Sequence, residues 1–466
     1  MTRFGWVLAA VLATAIAGCG DDDEAGGGAA SGAGTREPAG GAGTKQPAAG
    51  AGGGAAAASA EVPASLPNGL LLAYAQFEVE DGRVTARPGP ARLEILTREG
   101  GEWRTQVIED RESAVFHKAM LLEPASGAPG ILTLAGTTPV AAGQRSQAAA
   151  KVELWRNTPE GWRAQTLWQS TFGGRINRMR DAEIADVYGD QRPDVAVGTH
   201  DQGVVAVLRQ QETGNWTAVE IDREADTFVH EIEIGDVNGD GVLEVYATPS
   251  EPNTLDGQEQ HGEVVRYVPK NEEGRQVVAD LGNRHAKEIL VADVDGDGRD
   301  ELYVAVEALT RGEGGAEIVE PVQIRRYDAN TPPDQGVVIA TIEDRLTRFL
   351  TYGDVDHDGK NELVAAAFRS GLWLLEPGSD PRGEWSIESI DRDSSGFEHA
   401  AVVADLDGDG TSELYVAADE QGEVRRYVWV NGRPRRETIH RREHPRSMLT
   451  FGIVAVPVSV LSPRSE

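Results

Sequence analysis

The chain has 466 residues, 76 acidic against 44 basic side chains and a formal net charge of −32, with 40% hydrophobic residues. That balance excludes nucleic acid as a partner, because phosphates demand a basic footprint. A folded region near 400 residues would be large for one ordinary core, but internal repetition removes that limit.

The N-terminus reads Met1-Thr2-Arg3, then an apolar run from Phe4 to Ala17. Such a run is short for a membrane span, which needs roughly 20 residues, and a basic start before it marks a secretory signal over residues 1–18. The run ends Ile16-Ala17-Gly18-Cys19, which resembles the lipobox of bacterial lipoproteins. That resemblance implies cleavage before Cys19 and its lipidation, and so accounts for the only cysteine, which as a spare thiol would be a liability outside the cell. Residues 19–64 are rich in Gly, Ala, Ser and Pro and cannot bury a core. They are expected to be a disordered tether with a reach of about 35 to 40 Å. Asp21 to Glu24 just after the lipidated residue resemble a surface-lipoprotein tether, which implies a cell-envelope protein at the outer membrane, in contact with the bilayer through its lipid alone.

From residue 65 to 456 the chain reads as all-β repeats. Gly69 to Tyr74 is expected to supply the second strand of the closing unit, and residues 92–109 its hairpin. Phe116 to Glu123 and Gly130 to Leu134 give the next unit, which has no acidic loop. A worn loop follows, with Asp186, Asp190 and Asp194 but Tyr188 and Gln191 where the others have an oxygen ligand and a glycine. Then come four clean copies: Asp236-x-Asn238-x-Asp240-Gly241-x-x-Glu244, Asp293-x-Asp295-x-Asp297-Gly298-x-x-Glu301, Asp354-x-Asp356-x-Asp358-Gly359-x-x-Glu362 and Asp405-x-Asp407-x-Asp409-Gly410-x-x-Glu413. Ser447 to Gly452 mirrors Arg348 to Gly353 as a last first strand, and residues 457–466 form a tail.

Hard cations such as Ca2+ take six to eight oxygens on a short flexible loop, and carboxylates at alternate positions converge when the chain turns sharply. Glycine at position six allows that turn. Positions one, three, five and nine are therefore the side-chain ligands, and the position-seven carbonyl, of Val242, Arg299, Lys360 or Thr411, a backbone ligand. An EF-hand would close with Glu at position twelve between helices; here the acid stands at position nine and the flanks are β-branched and aromatic, so the loops join strands. About four Ca2+ sites are expected, with Asp186, Asp190 and Asp194 a weaker fifth.

The first loop positions are Asp186, Asp236, Asp293, Asp354 and Asp405, steps of 50, 57, 61 and 51 residues, a period that points to a propeller or solenoid. Four strands per unit, with hairpins marked by Trp103, Trp162, Trp216 and Trp385, is the build of a propeller blade. The count is seven, with six or eight as alternatives, and the last blade is closed by strands from both ends of the chain, which removes an open sheet edge. These residues resemble the FG-GAP or VCBS-like repeats, typified by the integrin α-subunit head. The resemblance implies a β-propeller with Ca2+ between the first and second strands of a blade; the Gly-Ala-Pro landmark occurs only at Gly127-Ala128-Pro129.

Six residues before each first position stand His117, Arg180, His230, Lys287, Arg348 and His399, with Ser447 in the closing unit. On inner strands these fall on a ring, a candidate basic mouth for an anionic ligand. The alternative is neutralisation by the acids one residue on, Asp181, Glu231 and Glu288. Markers of catalysis are thin: there is no Gly-x-Ser-x-Gly and no P-loop. His440-Arg-Arg-Glu443-His444 has a zinc-enzyme spacing, but that spacing needs a helix. The expected function is a monomeric, non-catalytic binding or adhesion module for an extracellular or periplasmic protein or an acidic glycan. A polysaccharide lyase or sugar dehydratase is the alternative.

Overall fold

The structure, a computed structural model, describes residues 62–141, 144–200, 202–224, 227–249, 260–312, 317–444 and 447–463. The signal, Cys19 and nearly all of the tether lie outside these residues. Among the described residues the chain is all-β apart from one 3-10 turn and the helical turn Val458–Leu461. No helix among them is long and apolar enough to cross a membrane.

Each repeat folds as an antiparallel meander. Residues from Met179 to Arg223, Ile232 to Gly282, Thr347 to Asp391 and Ala401 to Arg441 each form one four-stranded sheet whose strands pair in chain order. The repeat from Ala286 to Ile342 does the same, with an extra hairpin, Leu309–Arg311 against Glu317–Glu320, set between its second and third strands. The remaining strands belong to a nine-stranded sheet, in which Val115–Leu122, Gly130–Gly136, Ala150–Thr158 and Gly161–Ser170 make one meander.

The ends of the chain meet in that same sheet. Asn68–Glu80 pairs on one side with Met448–Pro457, for example Leu71 opposite Val454, and on the other with Ala91–Glu99. The first strand of this unit therefore comes from the C-terminus and its second from the N-terminus, as the sequence pattern requires. Asn68–Glu80 runs on beyond its partners and folds back as a hairpin with Arg83–Pro88. A single pair, Ala75 and Val115, links the unit to the next meander.

The first strands touch one another in a closed circuit. Val115–Leu122 lies beside Met179–Ala185, and the contacts continue through Ile232–Gly235, Ala286–Ala292, Thr347–Gly353 and Ala401–Ala404 to Met448–Pro457, which returns to Val115–Leu122. This is a propeller: sheets radiate from a central axis and bury their faces on their neighbours. The cores accordingly lie between sheets, as where Val402, Val416 and Tyr427 pack with Phe349 and Val364 of one neighbour and Leu70 and Leu72 of the other. Small and β-branched residues dominate these contacts because strand faces must approach closely over a pleated surface. Trp103, Trp162, Trp216 and Trp385 each pack against such a cluster, which is the packing role their repetition suggests.

Candidate metal centres

All five acidic loops join a first strand to a second, and one pair closes each. Residue zero of the loop faces residue nine across the sheet: Ala185 and Asp194, Gly235 and Glu244, Ala292 and Glu301, Gly353 and Glu362, Ala404 and Glu413. The strand ladder thus holds the loop ends together, and position nine is carried inward, at most 2% exposed in every copy.

Within the loops the backbone is fixed by the side chain at position one. The N–H at position six donates to that carboxylate in Gly241, Gly298, Gly359 and Gly410, at 2.7 to 3.1 Å. Those four glycines sit at φ between 81° and 91° with nothing close to where a Cβ would stand, so glycine answers a need of the backbone angle. Gln191 takes the same place in the worn loop at φ 66° and donates to Asp186 at 2.7 Å, so the turn survives there at a conformational cost. The position-seven N–H, of Val242, Arg299, Lys360 and Thr411, donates to the position-five carboxylate at 2.8 to 2.9 Å. The loops are therefore shaped by internal hydrogen bonds before any cation is considered.

Three loops gather their ligand atoms. Oxygens of Asp293, Asp295, Asp297 and Glu301 lie within 4.8 Å of one another, as do those of Asp354, Asp356, Asp358 and Glu362, and those of Asp405, Asp407 and Asp409. That spread fits opposite ligands of a hard cation at 2.3 to 2.6 Å. Asp293 Oδ1 and Asp354 Oδ1 are buried and have no hydrogen-bond partner, which is costly without a cation to meet them. The donor set, all carboxylate, suits Ca2+.

The sequence treats the four clean loops as equivalent; the structure does not. In three of them an arginine on the third strand reaches the closing acid. Arg266 Nη1 is 2.5 Å from Glu244, Arg326 is 3.2 Å from Glu301 and 2.7 Å from Asp295, and Arg426 is 2.7 Å from Glu413. A tyrosine two residues after each of these acids donates to it as well, from Tyr246, Tyr303 and Tyr415. Glu413 stands outside its converging set, whereas Glu301, with the same kinds of partner, stays within its own. Glu244 is further held by Asn238 Nδ2 at 2.8 Å, and residues 236–244 do not gather three acids. Glu362 alone has neither group: Val364 and Leu374 stand where the others have tyrosine and arginine, and its hydrogen bond comes from the Val355 N–H at 3.0 Å. Burial, reinforced by Asp356 and Asp354, pushes its carboxyl up to about 8. Burial also raises Glu301 to about 8, against the pull of Arg326.

In the worn loop the cation is internal. Arg209 lies 2.8 Å from Asp190 and 3.4 Å from Asp194, with its guanidinium 3.8 Å over the Tyr188 ring. Asp186, Asp190 and Asp194 do not converge as ligands, so this fifth site is corrected to an arginine-filled loop.

The ring of residues six before each loop is present but is no mouth. His117, Arg180, His230, Lys287, Arg348 and His399 are at most 4% exposed. Arg180 Nη1 meets His117 Nδ1 at 2.7 Å, Arg348 meets Glu398 at 3.0 Å, and Lys287 lies 3.8 Å from Glu307. His399 donates from Nδ1 to the Ala367 carbonyl and takes Ser394 Oγ at Nε2, both at 2.7 Å. Burial holds His117 and His230 well below the usual imidazole range and His399 at about 4, so the three imidazoles are neutral. The acids one residue on lie near the ring, and Glu231 and Asp181 favour the Arg180 cation. Asp181 accepts from the Ile232 N–H at 2.8 Å and Glu288 from the Leu350 N–H at 2.6 Å, on the next first strand, and Lys118 meets Asp181 and Glu183 at 3.0 Å. They tie neighbouring sheets together along the axis. The zinc-type spacing at His440 and His444 lies at the end of strand Pro434–Arg441, where no third ligand converges among the described residues.

Comparison with known proteins agrees with this geometry. The FG-GAP-like repeat model matches residues 186–247 and 354–416. Each match spans two successive acidic loops and the strands between them. No curated protein matches the chain. Among solved structures, a protein from Lactobacillus plantarum aligns with TM-score 0.50 at 10% identity, covering 84% of this chain and 99% of its own. A putative 6-phosphogluconolactonase from Bacteroides fragilis aligns with TM-score 0.47 at 13% identity, covering 83% and 98%. The Dos1 propeller aligns with TM-score 0.44 at 10% identity, covering 70% and 74%.

Proposed function

We propose that this chain, which carries FG-GAP-like repeats in a propeller fold, is a seven-bladed, Ca2+-stabilised, non-catalytic binding module held at the cell envelope by a lipid. The single observation that carries the metal part is the convergence of Asp354, Asp356, Asp358 and Glu362, where the only ion pair among the described residues is that of Asp358 with the exposed Lys360, at 3.7 Å. The blade count is supported by the closed circuit of seven first strands and treats the nine-stranded sheet as two blades joined at Ala75 and Val115. The anchor is supported by Ile16-Ala17-Gly18-Cys19 and the Gly-rich tether after it, with the outer membrane and a monomeric state as the corresponding expectations.

Acidic glycan capture by the basic ring is not part of the proposal, because that ring is buried and internally bonded. The lyase or dehydratase alternative rested on such activities being found on calcium-bearing propellers, with the ring neutralising a uronate, and the burial of the ring removes that second ground. Calorimetric titration of the chain with Ca2+ is the direct test: about three sites and a rise in melting temperature are expected. No heat of binding, and a melting curve indifferent to chelator, would remove it. Membrane fractionation of the native chain beside Cys19→Ala tests the anchor, with release of the variant expected.

A further inference from the structure

The closing blade carries a second feature that no metal loop explains. A cleft of about 580 Å3 opens between the hairpin Asn68–Glu80/Arg83–Pro88, the strands Ala91–Glu99 and Glu102–Asp110, and the turn that follows Pro434–Arg441. Its volume falls in the range of small-molecule sites, roughly 300 to 1,000 Å3. The hairpin that walls it is an addition to the four-strand plan, and it lies far along the chain from the residues facing it.

The cleft contains a built polar centre. Glu94 is 2% exposed. One oxygen, Oε1, is gripped by Arg92 at 2.7 Å; the other, Oε2, is buried and has no hydrogen-bond partner. His440 Nε2 stands 3.6 Å from that oxygen, beyond hydrogen-bond reach. Burial holds the His440 imidazole below its usual range, so the ring is a neutral donor and acceptor beside an acceptor that lacks a donor.

We propose that this cleft is a binding site for a neutral sugar unit, with Glu94 and His440 as the pair that reads a ligand hydroxyl. An unpaired buried carboxylate oxygen calls for an O–H or N–H donor. The charges on the walls cancel, three arginines (92, 441 and 442) against Glu78, Glu94 and Glu443, so no net field selects an anion. Phe77, Val107 and Met448 add apolar surface to the walls, suited to the carbon face of a sugar ring. This inference rests on the reading of the chain as a binding module and gives that reading a location and a ligand class.

The test uses the full chain and three probes: cellobiose, the N-acetylglucosamine disaccharide and the galacturonic acid disaccharide, followed by saturation-transfer NMR and titration. Val107→Trp fills the cleft from a residue that is 40% exposed, so it leaves the core intact; Glu94→Gln removes the acceptor charge. One or both neutral disaccharides should bind, the uronate should bind more weakly, and each substitution should weaken binding about tenfold, or about 1.4 kcal/mol. The proposal is overturned if neither neutral disaccharide binds, if Val107→Trp binds them unchanged, or if the uronate binds best. The two failures are separable. Glycan or protein binding that persists in Val107→Trp removes the cleft and leaves the module, whereas absence of Ca2+ binding removes the metal reading and leaves the cleft.

Discussion

The Asp300 carboxylate accepts a hydrogen bond from the backbone N–H of Asp236 at 2.9 Å, across the boundary between two blades. Asp236 is the first position of one acidic loop and Asp300 the eighth of the next, so neighbouring loops are fastened to each other as well as to their own strands. The same face shows another such link, where Asn68 Nδ2 donates to the Asp405 carbonyl at 3.1 Å.

Asp300→Ala should cost about 1 kcal/mol of stability, the usual net worth of one hydrogen bond. Because Asp300 stands in the loop where Asp293, Asp295, Asp297 and Glu301 converge, loosening that loop from Asp236 should also weaken Ca2+ binding there, though Asp300 is not one of the converging acids. Thermal melts and titration of this variant against the native chain check both effects; unchanged affinity would show that the tie between blades does not shape the site.

Glu362→Gln and Glu413→Gln should behave differently. Glu362 has no basic partner, so its amide should remove one calorimetric site while the metal-free protein loses little. Glu413 is paired with Arg426 at 2% exposure on both sides, and leaving a buried charge alone typically costs about 3 kcal/mol or more. Its amide should therefore lower the melting temperature with and without Ca2+. Equal behaviour in chelator would show that the arginine pairing does not matter.

The response to pH should weaken on adding Ca2+. Without metal, Glu301 and Glu362 are raised to about 8, above their unfolded values, so the folded state holds more protons than the unfolded one between roughly pH 4.5 and 8. Stability of the metal-free protein should then decline as pH rises through that window. With saturating Ca2+ both groups are ionised in the fold and their share of the decline should vanish, leaving that of buried carboxyls such as Glu398. Melting temperatures at pH 5, 6, 7 and 8 in chelator and in Ca2+ give the answer, and parallel curves would count against the loops as metal sites.

Arg209→Met should destabilise the worn loop by about 2 kcal/mol, since Asp194 is buried and loses its cation. Combined with Gln191→Gly, which restores the glycine of the other loops, the substitution should create a Ca2+ response that the native loop lacks. The measurement is the number of sites in calorimetry, expected to rise by one.

Much of this arrangement was legible in the sequence, and the limits have physical causes. The loops were readable because a cation needs oxygens at fixed local spacing, and the first strands because their apolar runs precede each loop in register. The shared closing blade followed from the unmatched Gly69 to Tyr74 and Ser447 to Gly452. Arg266, Arg326 and Arg426 could not be matched to their loops so easily, since the third strand lies beyond a connection of variable length. The absence of tyrosine at Val364 was a local signal that went unused. His117, Arg180, Lys287 and Arg348 lie on first strands, whereas His230 and His399 lie just before theirs; the burial of all six depends on side chains from several blades meeting at the axis, which no single repeat encodes. The extra hairpins at Arg83–Pro88 and Leu309–Glu320 break the period, so repetition gave no template for them.

Asn68–Glu80 is bonded on both sides and is also the first strand after the N-terminal segment. A pull on that segment runs along the strand, so the pairs with Met448–Pro457 and Ala91–Glu99 are loaded together in shear. Tension is thereby shared across two ladders at once, and the ring should resist mechanical opening better at its N-terminus than at its C-terminal strand, which has only one ladder partner and would yield by peeling.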